Sequence, residues 1–160
     1  MSLVTFQICG QDVSRVTGDQ GVSFRSISIP EAVMNDYQVP PFSNRLPNHV
    51  TTASIGANFC MILLDDGSVF SMGFNDYDQL GVDQISVSNT FKTGEVLQLK
   101  SFTRPVKNLV CGAHYSLFVM DNEDLFGCGS NDYGQLSFSE EVNVTLPKEI
   151  NYGKKPGDRM

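Results

Sequence analysis

Apolar positions along the chain gather into short runs separated by turn-forming residues. Phe59 to Leu64 is an unbroken apolar run, followed by Asp65-Asp66-Gly67, a second run from Ser68 to Met72, and Gly73. Two apolar runs joined by an Asp-Gly turn predict a β-hairpin, because glycine supplies the positive φ that a tight turn needs. The same order recurs at Tyr115 to Met120 and Leu125 to Cys128, joined by Asp121-Asn122-Glu123-Asp124. Glu123 there occupies the glycine's place, so the second turn is expected to be longer or to put an Asn in the left-handed region. Runs without polar alternation predict strands buried on both faces. A lone hairpin cannot provide that burial, so neighbouring units are expected to cover them.

Sliding the chain against itself by 56 residues lays residues 56–81 on residues 112–137 and aligns Gly56 with Gly112, Ala57 with Ala113 and Asp65 with Asp121. It also aligns Phe70 with Phe126, Gly73 with Gly129, Asn75 with Asn131, Asp76 with Asp132, Tyr77 with Tyr133, Gln79 with Gln135 and Leu80 with Leu136. These are ten identities without a gap, where composition alone gives roughly one or two. Each copy ends in one tract: Gly73-Phe74-Asn75-Asp76-Tyr77-Asp78-Gln79-Leu80-Gly81, matched by Gly129-Ser130-Asn131-Asp132-Tyr133-Gly134-Gln135-Leu136-Ser137. Its polar residues could form a ligand- or partner-binding edge. The preferred reading is structural: Asn, Asp and Gly bend the chain, Gln satisfies buried backbone groups, and Tyr and Leu pin the turn to the core. The residues assigned to this motif are Gly56, Gly67, Gly73, Asn75, Tyr77, Gln79, Leu80 and Gly81 in the first copy. In the second they are Gly112, Gly129, Asn131, Tyr133, Gly134, Gln135 and Leu136.

Gly112-Ala113-His114-Tyr115-Ser116-Leu117, the hairpin with its acidic turn, and Gly129 to Leu136 together resemble the repeat of the regulator of chromosome condensation family. Residues 50–81 form a looser copy ending in Asp78-Gln79-Leu80-Gly81. Members of that family fold as seven-bladed β-propellers of four-stranded blades. The resemblance therefore implies an all-β fold, with blades over roughly residues 45–150 and an incomplete array of two to three blades. Departures from the pattern bear on any site. The family commonly places His three residues after the first glycine, where this chain has Phe59 and Tyr115, with His114 one place early. The aromatic preceding the second glycine is Met72 in one copy and Cys128 in the other. Such apolar replacements preserve a core position better than a site. His114 is expected on a strand, satisfied by a neighbouring polar group.

The remaining segments fit a single partial propeller over residues 1–160. The repeat copies span about 45–81 and 104–137, degenerate blade material fills 1–44, 138–150 is a short blade-start segment, and 151–160 is a frayed tail. In the first of these, Ile8-Cys9-Gly10 echoes Cys128-Gly129, and Val22 to Ile27 alternates like a strand before Pro30, Pro40, Pro41 and Pro47. Between the copies, Val96-Leu97-Gln98-Leu99 predicts a short strand.

Composition narrows the function classes. The chain has 160 residues, 41 % hydrophobic and 18 % charged, the profile of an ordinary soluble domain. Eleven Lys and Arg against 18 Asp and Glu leave a net charge of −7, so there is no chain-wide positive field and nucleic acid is not an expected partner. No apolar run approaches the roughly 18 to 20 residues that span a bilayer, and Met1 to Ile8 lacks the pattern of a signal peptide. No membrane association is expected. The expected location is the cytoplasm, with the nucleus as the alternative. Cys9, Cys60, Cys111 and Cys128 contain no Cys-x-x-Cys pair and do not combine with His49 or His114 at metal-ligand spacing. They are expected to be reduced, buried small hydrophobes, and the sequon Asn143-Val144-Thr145 a chance match.

Neither a nucleophile elbow nor a phosphate-cradling glycine motif occurs. The calcium-loop pattern suggested by Asp76, Asp78 and Gly81 fails at Leu80 and Val87. No enzyme activity, cofactor or metal is expected. The expected function is that of a non-enzymatic scaffold for protein–protein interaction. The resemblance also implies an alternative, a guanine nucleotide exchange factor for a Ran-type small GTPase with chromatin association. A truncated propeller without independent function is a third reading. Because seven blades need roughly 350 to 400 residues, the chain is expected to be a fragment, an open array held by a protein partner, or a homo-oligomer that completes the ring.

Overall fold

The computed structural model describes residues 5–8, 25–28, 38, 40–43, 49–83 and 96–153. Every regular element among them is a β-strand. β1 (Thr5–Ile8) pairs antiparallel with β2 (Arg25–Ser28). β3 (Val50–Ile55), β4 (Phe59–Leu64), β5 (Val69–Gly73) and β6 (Val96–Gln98) form a first four-stranded antiparallel sheet in chain order. β7 (Val106–Cys111), β8 (Tyr115–Met120), β9 (Leu125–Ser130) and β10 (Asn143–Glu149) form a second sheet with the same meander.

The repeat extends to register. Phe59 lies opposite Gly73 as Tyr115 lies opposite Gly129, and the first strand of each sheet slips by one residue at matching places, Val50/Thr52 and Val106/Asn108. Both hairpins close over the same number of residues: Gly67 N donates to Leu64 O at 3.0 Å and Glu123 N to Met120 O at 3.1 Å. The second turn is thus neither longer nor rescued by an Asn. Glu123 itself takes φ 67°, beside 84° at Gly67, an L-residue held in a region that costs it energy. Gly73 and Gly129, at φ 112° and 103°, are required on two grounds. A Cβ on either would stand 2.5 Å from a carbonyl of the preceding loop, Asn58 O or His114 O.

Phe59, Met61, Leu63 and Val69 from the first sheet pack with Val106, Leu109, Phe118 and Met120 from the second in one core. Phe102 crosses between the sheets with its ring 5.0 Å from Phe118 and 6.3 Å from Phe126. Gln38 N donates to Gln98 Oε1 and Gln98 Nε2 to Gln38 O, fixing residue 38 beside β6, and Phe42 packs on the same core.

β4 and β5 are buried along their whole length, as their apolar runs predict. β8 is not: Ser116, Phe118 and Met120 are buried, whereas Tyr115, Leu117 and Val119 are half-buried. The second sheet faces the first on one side only, so its equally apolar strand keeps an alternating pattern. Residues 143–149, expected to start a further blade, pair with β9 and complete the second sheet. His114 lies in the turn between β7 and β8 rather than on a strand. Val96–Gln98 is a strand as expected. β1 stops at Ile8 and β2 covers the end of the predicted alternation, while Cys9, Gly10 and residues 154–160 lie outside the described residues.

Candidate functional site

The tract that follows β5 and β9 is where the two copies agree most, and its geometry separates residues that hold the turn from those that do not. Asn75 Oδ1 accepts from Leu80 N at 2.8 Å, and Asn131 Oδ1 from Leu136 N at 2.9 Å. Gln79 Oε1 accepts from Tyr77 N and Gln135 Oε1 from Tyr133 N, both at 2.9 Å. Asp78 N donates to Asn75 O and Gly134 N to Asn131 O, with Asp78 and Gly134 both at positive φ. Asn and Gln therefore serve the backbone, and Leu80 and Leu136, each fully buried, anchor the turn. The tyrosines do not pin it to the core, contrary to expectation. Tyr77 is 37 % exposed and Tyr133 94 % exposed.

In the first copy the tract receives the second sheet. Gln79 O accepts from Ser116 Oγ at 2.8 Å and from Cys128 Sγ at 3.6 Å, and Asp78 Oδ2 from Thr145 Oγ1 at 3.3 Å. The Tyr77 ring lies 4.6 Å from the His114 ring, inclined by 34°. His114 thus meets a ring rather than the expected polar group, and its Nδ1 is buried without a hydrogen bond. Gly81 leaves room for Cys128 Sγ and Pro147, which a Cβ would approach to 3.0 and 3.2 Å. At the other end of the sheets, the turn glycine Gly67 lies under Pro105, and its carbonyl accepts from Val106 N at 3.1 Å. Gly56 and Gly112 each sit beneath the ring of the next aromatic, Phe59 and Tyr115.

The copies differ in one buried amide. Asn131 Nδ2 donates to Phe138 O at 2.6 Å and Glu141 O at 2.7 Å, holding the loop before β10. Asn75 Nδ2 is buried without a partner.

No catalytic grouping emerges among the described residues. Cys60, Cys111 and Cys128 are free thiols. Burial, with the neighbouring Cys111, pushes Cys60 up to about 12. Burial also pushes Cys111 up to about 11 against the opposing hydrogen bonds of Ser54 and Ser116, and raises Cys128 further. Thiols held protonated in this way are poor nucleophiles and metal ligands. Among the described residues no group of three or more His, Cys, Asp or Glu is placed to hold a metal ion. An open groove of about 380 Å³ lies at the turn end, lined in part by Asp65, Asp66 and Lys107. Its charges are engaged: Asp65 faces His49 at 3.4 Å, Asp66 accepts from Ser68 Oγ at 2.6 Å, and Lys107 pairs with Glu123.

What sequence reasoning missed is the outward face of the second sheet. It carries the half-buried Leu117 and, on β7, Val110 at 53 % exposure. The available signal was the repeat itself, since these positions correspond by the 56-residue offset to Met61 and Ser54 of the covered sheet.

Comparison with known proteins agrees with this picture. A family model described as the regulator of chromosome condensation (RCC1) repeat matches residues 50–79 and 106–135, and a second of the same description matches 66–119. The chain is 32 % identical over 110 residues to the mouse X-linked retinitis pigmentosa GTPase regulator, covering 68 % of this chain and 10 % of that protein. It is 27 % identical over 121 residues to the mouse RCC1-like G exchanging factor-like protein, covering 75 % of this chain and 26 % of the relative. Yeast RCC1 (Prp20), solved bound to Kap60, superposes with a TM-score of 0.66 at 16 % identity, covering 92 % of this chain and 32 % of the yeast chain. The two sheets are accordingly blades of a partial propeller, and the chain spans less than a third of the length of each of these three proteins.

Proposed function

Because the chain belongs to the regulator of chromosome condensation (RCC1) repeat family, we propose that it is a non-enzymatic protein-interaction module that offers the tyrosine-bearing end of its blades to another protein. The observation that carries this is the division of labour within the repeated tract. Asn, Gln and Leu satisfy the turn, while the Tyr133 side chain adds nothing to it and the residue stands 94 % exposed. Phe74, Tyr77 and Val142 are exposed at the same end. A large ring that the fold does not use is the kind of side chain that dominates binding energy at protein interfaces.

A second reading, guanine nucleotide exchange on a small GTPase, is favoured by the names of two relatives, a GTPase regulator and a G exchanging factor-like protein. The two readings separate in one assay. A Ran-type GTPase loaded with a fluorescent guanine nucleotide is mixed with micromolar chain, and nucleotide release is followed together with binding by interferometry. The scaffold reading expects the intrinsic release rate. Acceleration of tenfold or more, lost in Tyr133→Ser, replaces it with the exchange reading.

A further inference from the structure

The turn end of the first sheet, opposite the repeated tract, holds a cavity that no described side chain fills. It measures about 60 Å³ and lies between the β4–β5 turn and the residues that follow β6. Val69, Leu99 and Phe102, all buried, and the half-buried Phe42 give it an apolar wall. Such a volume holds roughly four or five waters, about the bulk of one branched aliphatic side chain. The polar groups of the wall are held in place. Gln98 Oε1 accepts from Gln38 N at 3.1 Å and Gln98 Nε2 donates to Gln38 O at 2.8 Å, while Ser68 Oγ donates to Asp66 Oδ1 at 2.6 Å. Lys100 also lines the cavity and differs from its neighbours. At the same end Arg104 pairs with Asp121 and Lys107 with Glu123, whereas Lys100 is exposed and has no ion-pair or hydrogen-bond partner among the described residues. The cavity thus sets room for an aliphatic group beside one uncompensated positive charge.

We propose that this cavity binds the C-terminal residue of a partner polypeptide, with its aliphatic side chain in the apolar wall and its terminal carboxylate on Lys100 Nζ. One ammonium group matches one carboxylate charge. A phosphate brings a second charge and three oxygens, which a single lysine beside an apolar wall does not satisfy.

What adjoins the cavity points to a polypeptide rather than a free acid. Phe42 and Gly67 are shared with the open groove of about 380 Å³, so the chain leading to the terminus has a path along it. Leu64, Pro105 and Val106 line that groove, and the charges of Asp65, Asp66 and Lys107 are already engaged. Such a surface suits an uncharged stretch of backbone. A free acid small enough for the cavity has too few atoms to bind as well as one that continues into the groove. The site lies at the other end of the sheets from Tyr133, so the inference goes beyond the reading of the tyrosine end and does not rest on it.

Fluorescence anisotropy on the full chain tests this with a labelled pentapeptide, Gly-Ser-Gly-Ala-Leu, ending in either a free carboxylate or an amide. The free acid is expected to bind with a dissociation constant of about 10 to 100 μM, and the amide about tenfold more weakly. Replacing the final Leu of the peptide by Gly is expected to cost about tenfold or more. Lys100→Gln changes an exposed side chain and is expected to bring the free acid down to the affinity of the amide. Lys148→Gln removes the same charge from the residue paired with Glu141 and is expected to change neither. Acetylation of lysines read by mass spectrometry gives a second measure. Free-acid peptide at about four times its dissociation constant lowers labelling of Lys100 about fivefold and that of Lys148 not at all. Equal affinities of acid and amide overturn the proposal, as does absence of binding at about 1 mM peptide. So does an equal loss in Lys100→Gln and Lys148→Gln. 3-Methylbutanoate that competes with the same dissociation constant as the peptide overturns it as well, since the groove then contributes nothing. None of these results touches the reading of Tyr133, which the GTPase assay judges separately.

Discussion

Glu123 occupies a backbone conformation that glycine fills in the other copy, and its side chain offsets little of the cost. Its pairing with Lys107 is between exposed groups, which contribute between nothing and about 1 kcal/mol. Glu123→Gly is therefore expected to leave stability unchanged or raise it by up to about 1 kcal/mol, read as a higher urea midpoint at unchanged slope. The reciprocal Gly67→Ala is expected to be clearly destabilising, because its Cβ would stand 2.6 Å from Pro105 Cβ at φ +84°. The thiols give a pH dependence of definite sign. The fold favours the neutral form of Cys60 and Cys111, so their contribution is complete below the ordinary thiol value of 9.0 and is lost above it. The loss runs up to about 11 for Cys111 and about 12 for Cys60, at about 1.4 kcal/mol per group per pH unit. Urea midpoints measured between pH 8 and 10.5 are expected to fall, and to fall less steeply in Cys60→Ala.

The two turns test what one side-chain amide contributes to an element. Asn131 is buried and makes three hydrogen bonds, to Leu136 N, Phe138 O and Glu141 O. Asn131→Ala leaves those groups to find water and is expected to cost about 2 to 4 kcal/mol. Asn75 makes one such bond, to Leu80 N, and already carries an unpartnered Nδ2. Asn75→Ala is expected to cost about 1 kcal/mol. Urea denaturation of the pair checks the order, and equal losses would contradict the assignment of the extra bonds to the loop before β10.

For the molecule as a whole, the consequence of a core shared between sheets is coupled stability. Phe118 is fully buried between them, beside Phe102. Phe118→Ala is expected to cost about 3 to 5 kcal/mol. Because the cavity opens onto both sheets, amide protection should fall in β4 as well as in β8, as measured by native-state hydrogen exchange. Loss confined to β8 would mean that the sheets open independently.

The repeat, both hairpins and the all-β class were legible in the sequence, as was the place of Asn75, Gln79, Leu80 and their counterparts in the tract that ends each copy. Each depends on local rules, the period of apolar residues and the φ a turn demands, which act the same way wherever the copy lies. Tertiary structure decided what local rules cannot express. Two apolar strands of the same pattern, β4 and β8, differ in burial because β4 is covered on both faces and β8 is fully covered on only one. Residues 143–149 close the second sheet because β9 offered an unpaired edge. Tyr77 has a ring to stack on and Tyr133 has none. Burial belongs to a pair of surfaces, and a sequence specifies only one of them.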